Sequence, residues 1–219
     1  MTKRKRSFGS FFLLTIFKGS QFMSLPLLLA SSSVYRKQLL EKLQLPFICA
    51  SPDIDESILP NEQPNDYVQR LAIEKAKALH AEYPKHIIIG SDQCAVLTVN
   101  GKQQILGKPH TVENAIQQLN QASGKHVTFL TGLCVYNSDN EQCYSLVEPF
   151  SVHFRTLTLP QIERYIAQEM PLDCAGSFKS EGLGIRLFSA LEGRDPNSLI
   201  GLPLIALIDL LEQQGIQVL

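Results

Sequence analysis

No C-x-x-C pair or zinc-type spacing occurs among the five scattered cysteines, Cys49, Cys94, Cys134, Cys143 and Cys174. Their odd number and wide spacing fit ordinary half-buried thiols in a reducing, cytoplasmic setting better than a disulfide framework. The five histidines include no H-E-x-x-H or similar cluster, which argues against a zinc hydrolase. There is no excess of one charge either. Twenty basic residues face twenty-one acidic ones, so bulk electrostatics make no case for a nucleic-acid surface and any phosphate binding must be local. No run of eighteen apolar residues suggests a membrane span, and no internal repeat, low-complexity tract or interdomain linker divides the chain. The basic residues Lys3 to Arg6 and the apolar stretch from Phe11 to Phe17 imitate a signal peptide, but Lys18 breaks the stretch and no A-x-A cleavage site follows. The favoured reading is that Met23 is the true start, which makes 1–22 an upstream extension and 23–219 the domain; a disordered or loosely attached amphipathic tail is the rival, and secretion a third alternative supported by the first seventeen residues alone.

What is present reads as one α/β domain, or two lobes sharing a cleft, with 44% hydrophobic residues over 219 positions to build a core. Leu25 to Ala30 forms a buried strand, Ser31-Ser32-Ser33 a polar turn, and Leu39, Leu40 and Leu43 one face of a helix. Pro46 to Ser51 gives a second strand before the acidic loop Asp53-Ile-Asp55-Glu56. Pro64-Asn65-Asp66 opens a long helix capped by Asp66. His86 to Gly90 is a β-branched strand that stops at Ser91-Asp92-Gln93. Asn100-Gly101 marks a type I′ hairpin between 95–99 and 103–106. A helix from Thr111 ends near Ser123-Gly124, and two long antiparallel strands, 127–136 and 144–155, turn at Asn137–Asn140. Thr158-Leu-Pro-Gln161 reads as a capping box, and a last helix from about Leu204 to Gln214 closes on Gly215.

Polar residues gather at the ends of these apolar elements. Ser31, Ser33 and Arg36 can hold phosphate oxygens at a helix start, although serine-rich turns also serve as simple caps. Asp92 at a strand mouth can deprotonate water or ligate a hard cation; the alternative is a cap for the next turn. Lys108, between Gly107 and Pro109, presents one ammonium group at a defined place. Lys75 is either a second phosphate-binding cation or solvated helix surface. Glu56 is a magnesium ligand or a solvated loop acid, with Asp53 and Asp55 making a negative cluster that a cation would relieve.

Taken together the segments Leu29-Ala-Ser-Ser-Ser-Val-Tyr-Arg36, Asp53-Ile-Asp-Glu56, Tyr67 to Ala76, Gly90-Ser-Asp92, Leu106 to Pro109, Ser123 to Gly132 and Asp195 to Pro203 resemble the Maf-like nucleotide pyrophosphatases over residues 25–215. The resemblance implies an elongated mixed sheet with flanking helices, two lobes around a central nucleotide cleft, and hydrolysis of nucleoside triphosphates to monophosphate and pyrophosphate with Mg2+ or Mn2+. It implies Asp92 as proton acceptor, Glu56 and Asp92 as metal ligands, and Ser31, Ser33, Arg36, Lys75 and Lys108 around the triphosphate. A homodimer is compatible with it; nucleic-acid and membrane partners are not implied. Within the family, Gln93 and the C-A-G-S-F-K-S-E-G stretch carrying Glu181 look like the branch acting on 7-methyl-GTP. Tyr35 stands where that branch commonly has tryptophan, and Val34 where proline is frequent. The competing expectations are a dTTP, UTP or broad-specificity housekeeping enzyme, and a nucleotide-binding regulator of cell division.

Overall fold

A computed structural model describes residues 25–219; the Met23 start and the 1–22 extension lie outside the described residues. Strand β1 (Leu27–Ala30) is apolar throughout and entirely buried, as a strand covered on both faces must be. It leads through the serine turn into α1 (Val34–Glu41). Strand β2 (Phe47–Ala50) and strand β3 (Ile87–Val99) flank β1, both parallel to it. Between them runs α2 (Pro64–Ala78). Strand β4 (Lys102–Leu106) folds back on β3, and Asn100 and Gly101 at the turn have φ of 51° and 75°, the positive values a type I′ hairpin needs.

Helix α3 (Val112–Ala122) starts at Thr111, whose hydroxyl accepts from the Asn114 amide. The long antiparallel pair β5 (His126–Asn137) and β6 (Cys143–Phe154) follows. Helix α4 (Leu159–Glu169) opens on the expected capping box, with Thr158 N–H donating to Gln161 Oε1 at 2.8 Å. Two 3-10 turns, Ala175–Ser177 and Leu183–Leu187, precede β7 (Phe188–Gly193), α5 (Asn197–Ile200) and α6 (Leu204–Gln213). The sheet runs β2-β1-β3-β5-β6-β7, with β4 paired to β3. The architecture is thus the expected mixed α/β sheet with flanking helices.

Two expectations need correcting. The polar triplet Ser91-Asp92-Gln93 does not end the strand. Strand β3 continues through it because β5 stays paired from Ile87 to Leu97, and that ladder outweighs the local polarity. What does change is the other edge. Pairing with β1 covers 87–89 and pairing with β4 covers 95–99, so residues 90–94 have no neighbour there. Asp92 therefore lies mid-strand, at an exchange of partners, and not at a strand end. Helix α2, in turn, is capped by Gln63 without a side-chain bond, because Pro64 takes the first helical position and leaves Asp66 within the first turn.

The two largest core clusters lie to either side of the partner exchange. On one side Leu27, Leu29, Leu39, Leu40, Ile87 and Leu207 pack together; on the other, Leu97, Leu119, Phe129, Phe154, Ile162 and Phe188. Helix α2 crosses the divide at backbone contact with the sheet. A Cβ at Gly90 would fall on the Ala72 carbonyl and one at Gly132 on the Val68 carbonyl, so only glycine permits this approach. Gly132→Ala is expected to lower stability by about 1–3 kcal/mol, a fall in Tm of roughly 2–12 °C for a domain of this size; an unchanged thermal midpoint would show that the helix is free to lift.

Candidate active site

The strand edge left open at residues 90–94 forms the floor of a cleft of 590 Å³. Ser31, Ser33, Tyr35, Arg36, Glu56, Lys75, Asp92, Gln93 and Lys108 all line it. Because side chains alternate along β3, Asp92 faces α2 while Ser91 and Gln93 face the opposite side, toward the α5 segment.

On the α2 side Lys75 is buried, at 7% exposure, and not solvated surface. Its ammonium group donates to Asp92 Oδ1 at 2.6 Å and lies 2.7 Å from Glu56 Oε1. A desolvated lysine is tolerable here because two carboxylates compensate its charge. Of the three loop acids only Glu56 reaches the cleft lining; Asp53 and Asp55 are exposed. The loop is tied to α2 by Arg70, which donates to Ser57 O at 3.0 Å and to Glu62 Oε1 at 2.6 Å. Tyr67 adds a bond from its hydroxyl to Glu56 O at 3.1 Å. Burial, with Asp92 and Glu56 adding to it, pushes the Tyr67 phenol up to about 12, so it stays a hydrogen-bond donor. Burial next to Asp92 also raises Cys94 to about 12, which leaves it a neutral thiol and removes it as a nucleophile.

At the start of α1, Ser33 Oγ accepts from the Arg36 amide at 3.3 Å and Ser31 Oγ from the Ser33 amide at 3.1 Å. Each hydroxyl thus spends acceptor capacity on the backbone and keeps its proton to donate. Arg36 is fixed from behind, its Nε donating to Gly201 O at 2.9 Å. Burial lowers its pKa against the opposing pull of Asp92 and Glu56, and a guanidinium remains charged under any such shift. The same Gly201 carbonyl accepts from Ser91 Oγ at 2.9 Å. Gln93 Nε2 donates to Ser198 O at 2.6 Å and Thr131 Oγ1 at 3.0 Å, which engages the amide nitrogen and leaves the side-chain oxygen as an available acceptor. Lys108 stands at the exposed rim.

The motif position of Glu181 does not bring it to this site. It lies in an exposed turn outside the cleft lining, accepting from Ser180 Oγ at 3.0 Å. A different carboxylate, Asp173, just before that stretch, lines the cleft instead. The sequence offered a signal for Asp173 only in its adjacency to Cys174-Ala-Gly-Ser.

A family model described as Maf-like protein matches residues 26–214. The chain belongs to the Maf-like family. This Maf-like chain is 60% identical over 193 residues to the 7-methyl-GTP pyrophosphatase of Colwellia psychrerythraea, covering 88% of this chain and 94% of that one. Against the protein of the same name from Pseudomonas syringae pv. syringae it is 59% identical over 88% of this chain and 98% of that one. The corresponding figures for Pseudomonas aeruginosa are 56%, 88% and 98%. Among solved structures, the Ham1 protein of Staphylococcus aureus aligns with a TM-score of 0.49 and 15% identity, over 86% of this chain and 99% of that one.

One structural residue of the Maf-like site was read in the sequence only as part of a motif. Asp195 is fully buried, and its Oδ1 accepts from the Asn197 amide at 2.8 Å while Oδ2 accepts from the Ile205 amide at 2.8 Å. It thereby fixes both ends of the segment whose carbonyls hold Arg36, Ser91 and Gln93. Asp195→Asn places a donor where an amide N–H already points, and is expected to cost about 1–3 kcal/mol, measured by urea denaturation. A variant as stable as the parent would mean that the segment is held elsewhere.

Proposed function

We propose that this Maf-like chain hydrolyses 7-methyl-GTP to 7-methyl-GMP and pyrophosphate. The observation that carries the reading is the convergence of Asp92 with Arg36, Lys75 and Lys108 on one cleft, in a chain 56–60% identical to relatives bearing that enzyme's name. Cleavage of the α–β anhydride calls for an activated water, neutralised phosphate charge and fixed geometry, and needs no covalent nucleophile. Asp92 accepts the proton of the attacking water. Lys75, bonded to Oδ1, sets the carboxylate's orientation and leaves Oδ2 for that water. Arg36, Lys108 and the hydroxyls of Ser31 and Ser33 bind phosphate oxygens. Tyr35, 40% exposed at the cleft wall, offers an aromatic face to the cationic 7-methylated base, worth about 0.5–2 kcal/mol. Gln93 supplies an acceptor for the base.

The donor set fits a hard divalent cation. Glu56 and Asp92 would supply its oxygen ligands, and no cluster of three or more histidine, cysteine or acidic residues with metal-holding geometry occurs among the described residues. Two carboxylates completed by phosphate oxygens and water is how Mg2+ is commonly held, and Mn2+ accepts the same set. When bound, such a cation would neutralise charge on the triphosphate. The cytoplasm is the setting we propose; no described helix is long and apolar enough to cross a membrane.

Pyrophosphate release across 7-methyl-GTP, GTP, UTP, dTTP and CTP tests the reading. Metal-dependent preference for 7-methyl-GTP is expected; better turnover of UTP or dTTP would keep the reaction and overturn the base assignment. Asp92→Asn is expected to reduce kcat about 10²–10⁴-fold with nucleotide binding retained. Binding without turnover in the parent chain would favour a nucleotide-binding regulator. Glu56→Gln is expected to raise the Mg2+ or Mn2+ concentration for half-maximal rate about tenfold, and an unshifted metal dependence would remove Glu56 from the ligand set.

A further inference from the structure

Outside the cleft lining, on the α2 face of β5 and β6, two thiols meet. Cys134 Sγ and Cys143 Sγ are 3.5 Å apart. Cys134 is fully buried, packed with Ala72, Ala76 and Tyr136. Cys143 is exposed, the first residue of β6. In register Cys143 stands opposite Tyr136 and Cys134 opposite Ser145, so the two cysteines are diagonal neighbours across the ladder. Beside them Lys77, His80, Tyr136 and Glu141 line an open depression of 440 Å³. Solvent thus reaches one sulfur of the pair directly, and the other only through it.

We propose that Cys143 and Cys134 form an oxidisable thiol pair, in which exposed Cys143 reacts with hydrogen peroxide and buried Cys134 resolves the product as an intramolecular disulfide. In the first step the Cys143 thiolate attacks one peroxide oxygen. An S–O bond forms, the O–O bond breaks, and hydroxide leaves to become water on taking up a proton, with sulfur oxidised to sulfenic acid. In the second, Cys134 sulfur attacks the Cys143 sulfur. The S–S bond forms, the S–O bond breaks, and the departing oxygen takes the Cys134 proton as water. Two thiols and one peroxide give one disulfide and two waters.

The division of labour follows from the geometry. The contact with Cys134 lowers the pKa of Cys143, and the Lys77 ammonium group acts in the same direction, so exposed Cys143 is the more readily deprotonated sulfur of the pair. The same contact and burial raise Cys134, which keeps its proton until Cys143 has been oxidised. Diagonal positions sit farther apart than a relaxed disulfide prefers. Closure must therefore draw the strand ends together next to the 137–142 turn, and a bond under that tension is one that thiol reductants open readily. Such a reversible disulfide suits a reducing compartment.

The test is peptide mapping of the reduced full-length chain after limited hydrogen peroxide, without prior reduction. Expected are a Cys134–Cys143 cross-link that dithiothreitol reverses, and reaction of Cys143 at least about tenfold faster than that of Cys49, an exposed thiol outside the pair. Cys134→Ala should leave Cys143 sulfenic acid to be trapped by dimedone, and Cys143→Ser, an exposed change, should leave Cys134 unlabelled. Cys143 passing to sulfinic acid without a cross-link, or Cys49 reacting as fast as Cys143, would overturn the proposal.

Discussion

The approach of α2 to the sheet at Gly90 and Gly132 is the constraint from which the site follows. Only backbone contact lets a lysine on the buried face of that helix reach a carboxylate on β3, so the Lys75–Asp92 pair exists because two neighbouring strands lack side chains at the crossing. Once there, the ammonium group cannot remain unpaired. Glu56 supplies the second carboxylate, and the loop bearing it is drawn in by Arg70 and Tyr67 from the same helix. Packing, ion pairing and loop position are thus one arrangement read at three levels.

The opposite face of β3 works by different means. Ser91 and Gln93 donate there to the carbonyls of Gly201 and Ser198. Backbone acceptors at a helix end are oriented by the fold itself, and Asp195 orients these by holding amides on both sides of the segment. Arg36 joins the same carbonyl from α1. One strand segment is therefore held by salt bridges on its α2 face and by neutral hydrogen bonds on the other. Arg36, Lys75 and Gln93 are thus each fixed from behind, which is the preorganisation that positioning and electrostatic catalysis require.

Much of this was legible in the sequence where the signal is local. The Asn100-Gly101 hairpin, the Thr158 capping box and the helix start at Thr111 each depend on a few adjacent residues, and each is present in the fold. The failures share a cause. Ser91-Asp92-Gln93 reads as a stop because its polarity is local, whereas the bonds from β5 that keep it extended come from residues about forty positions away. Strand β7 went unread because only Phe188 of its six residues is buried, so it has no alternating pattern to detect. Lys75 could not be told from surface lysines by helical spacing, since its partner is seventeen residues distant. Glu181 was placed by motif position, which says nothing of where a turn between 3-10 segments points.

The charges of the cleft bear on what it can accept. Its lining holds three cations, Arg36, Lys75 and Lys108, and three carboxylates, Glu56, Asp92 and Asp173, so it is formally neutral. Lys75 is moreover already shared between two of the acids. Such a cleft does not offset a triphosphate by net charge. It can do so by segregation, with Arg36, Lys108 and the serine hydroxyls turned toward phosphate while Glu56 and Asp92 face a cation that the ligand brings with it. Three acids that would repel a free polyanion become favourable contacts once that polyanion carries a divalent ion. On this argument the proposed metal dependence follows from the charge count of the cleft, independently of the proton transfer assigned to Asp92.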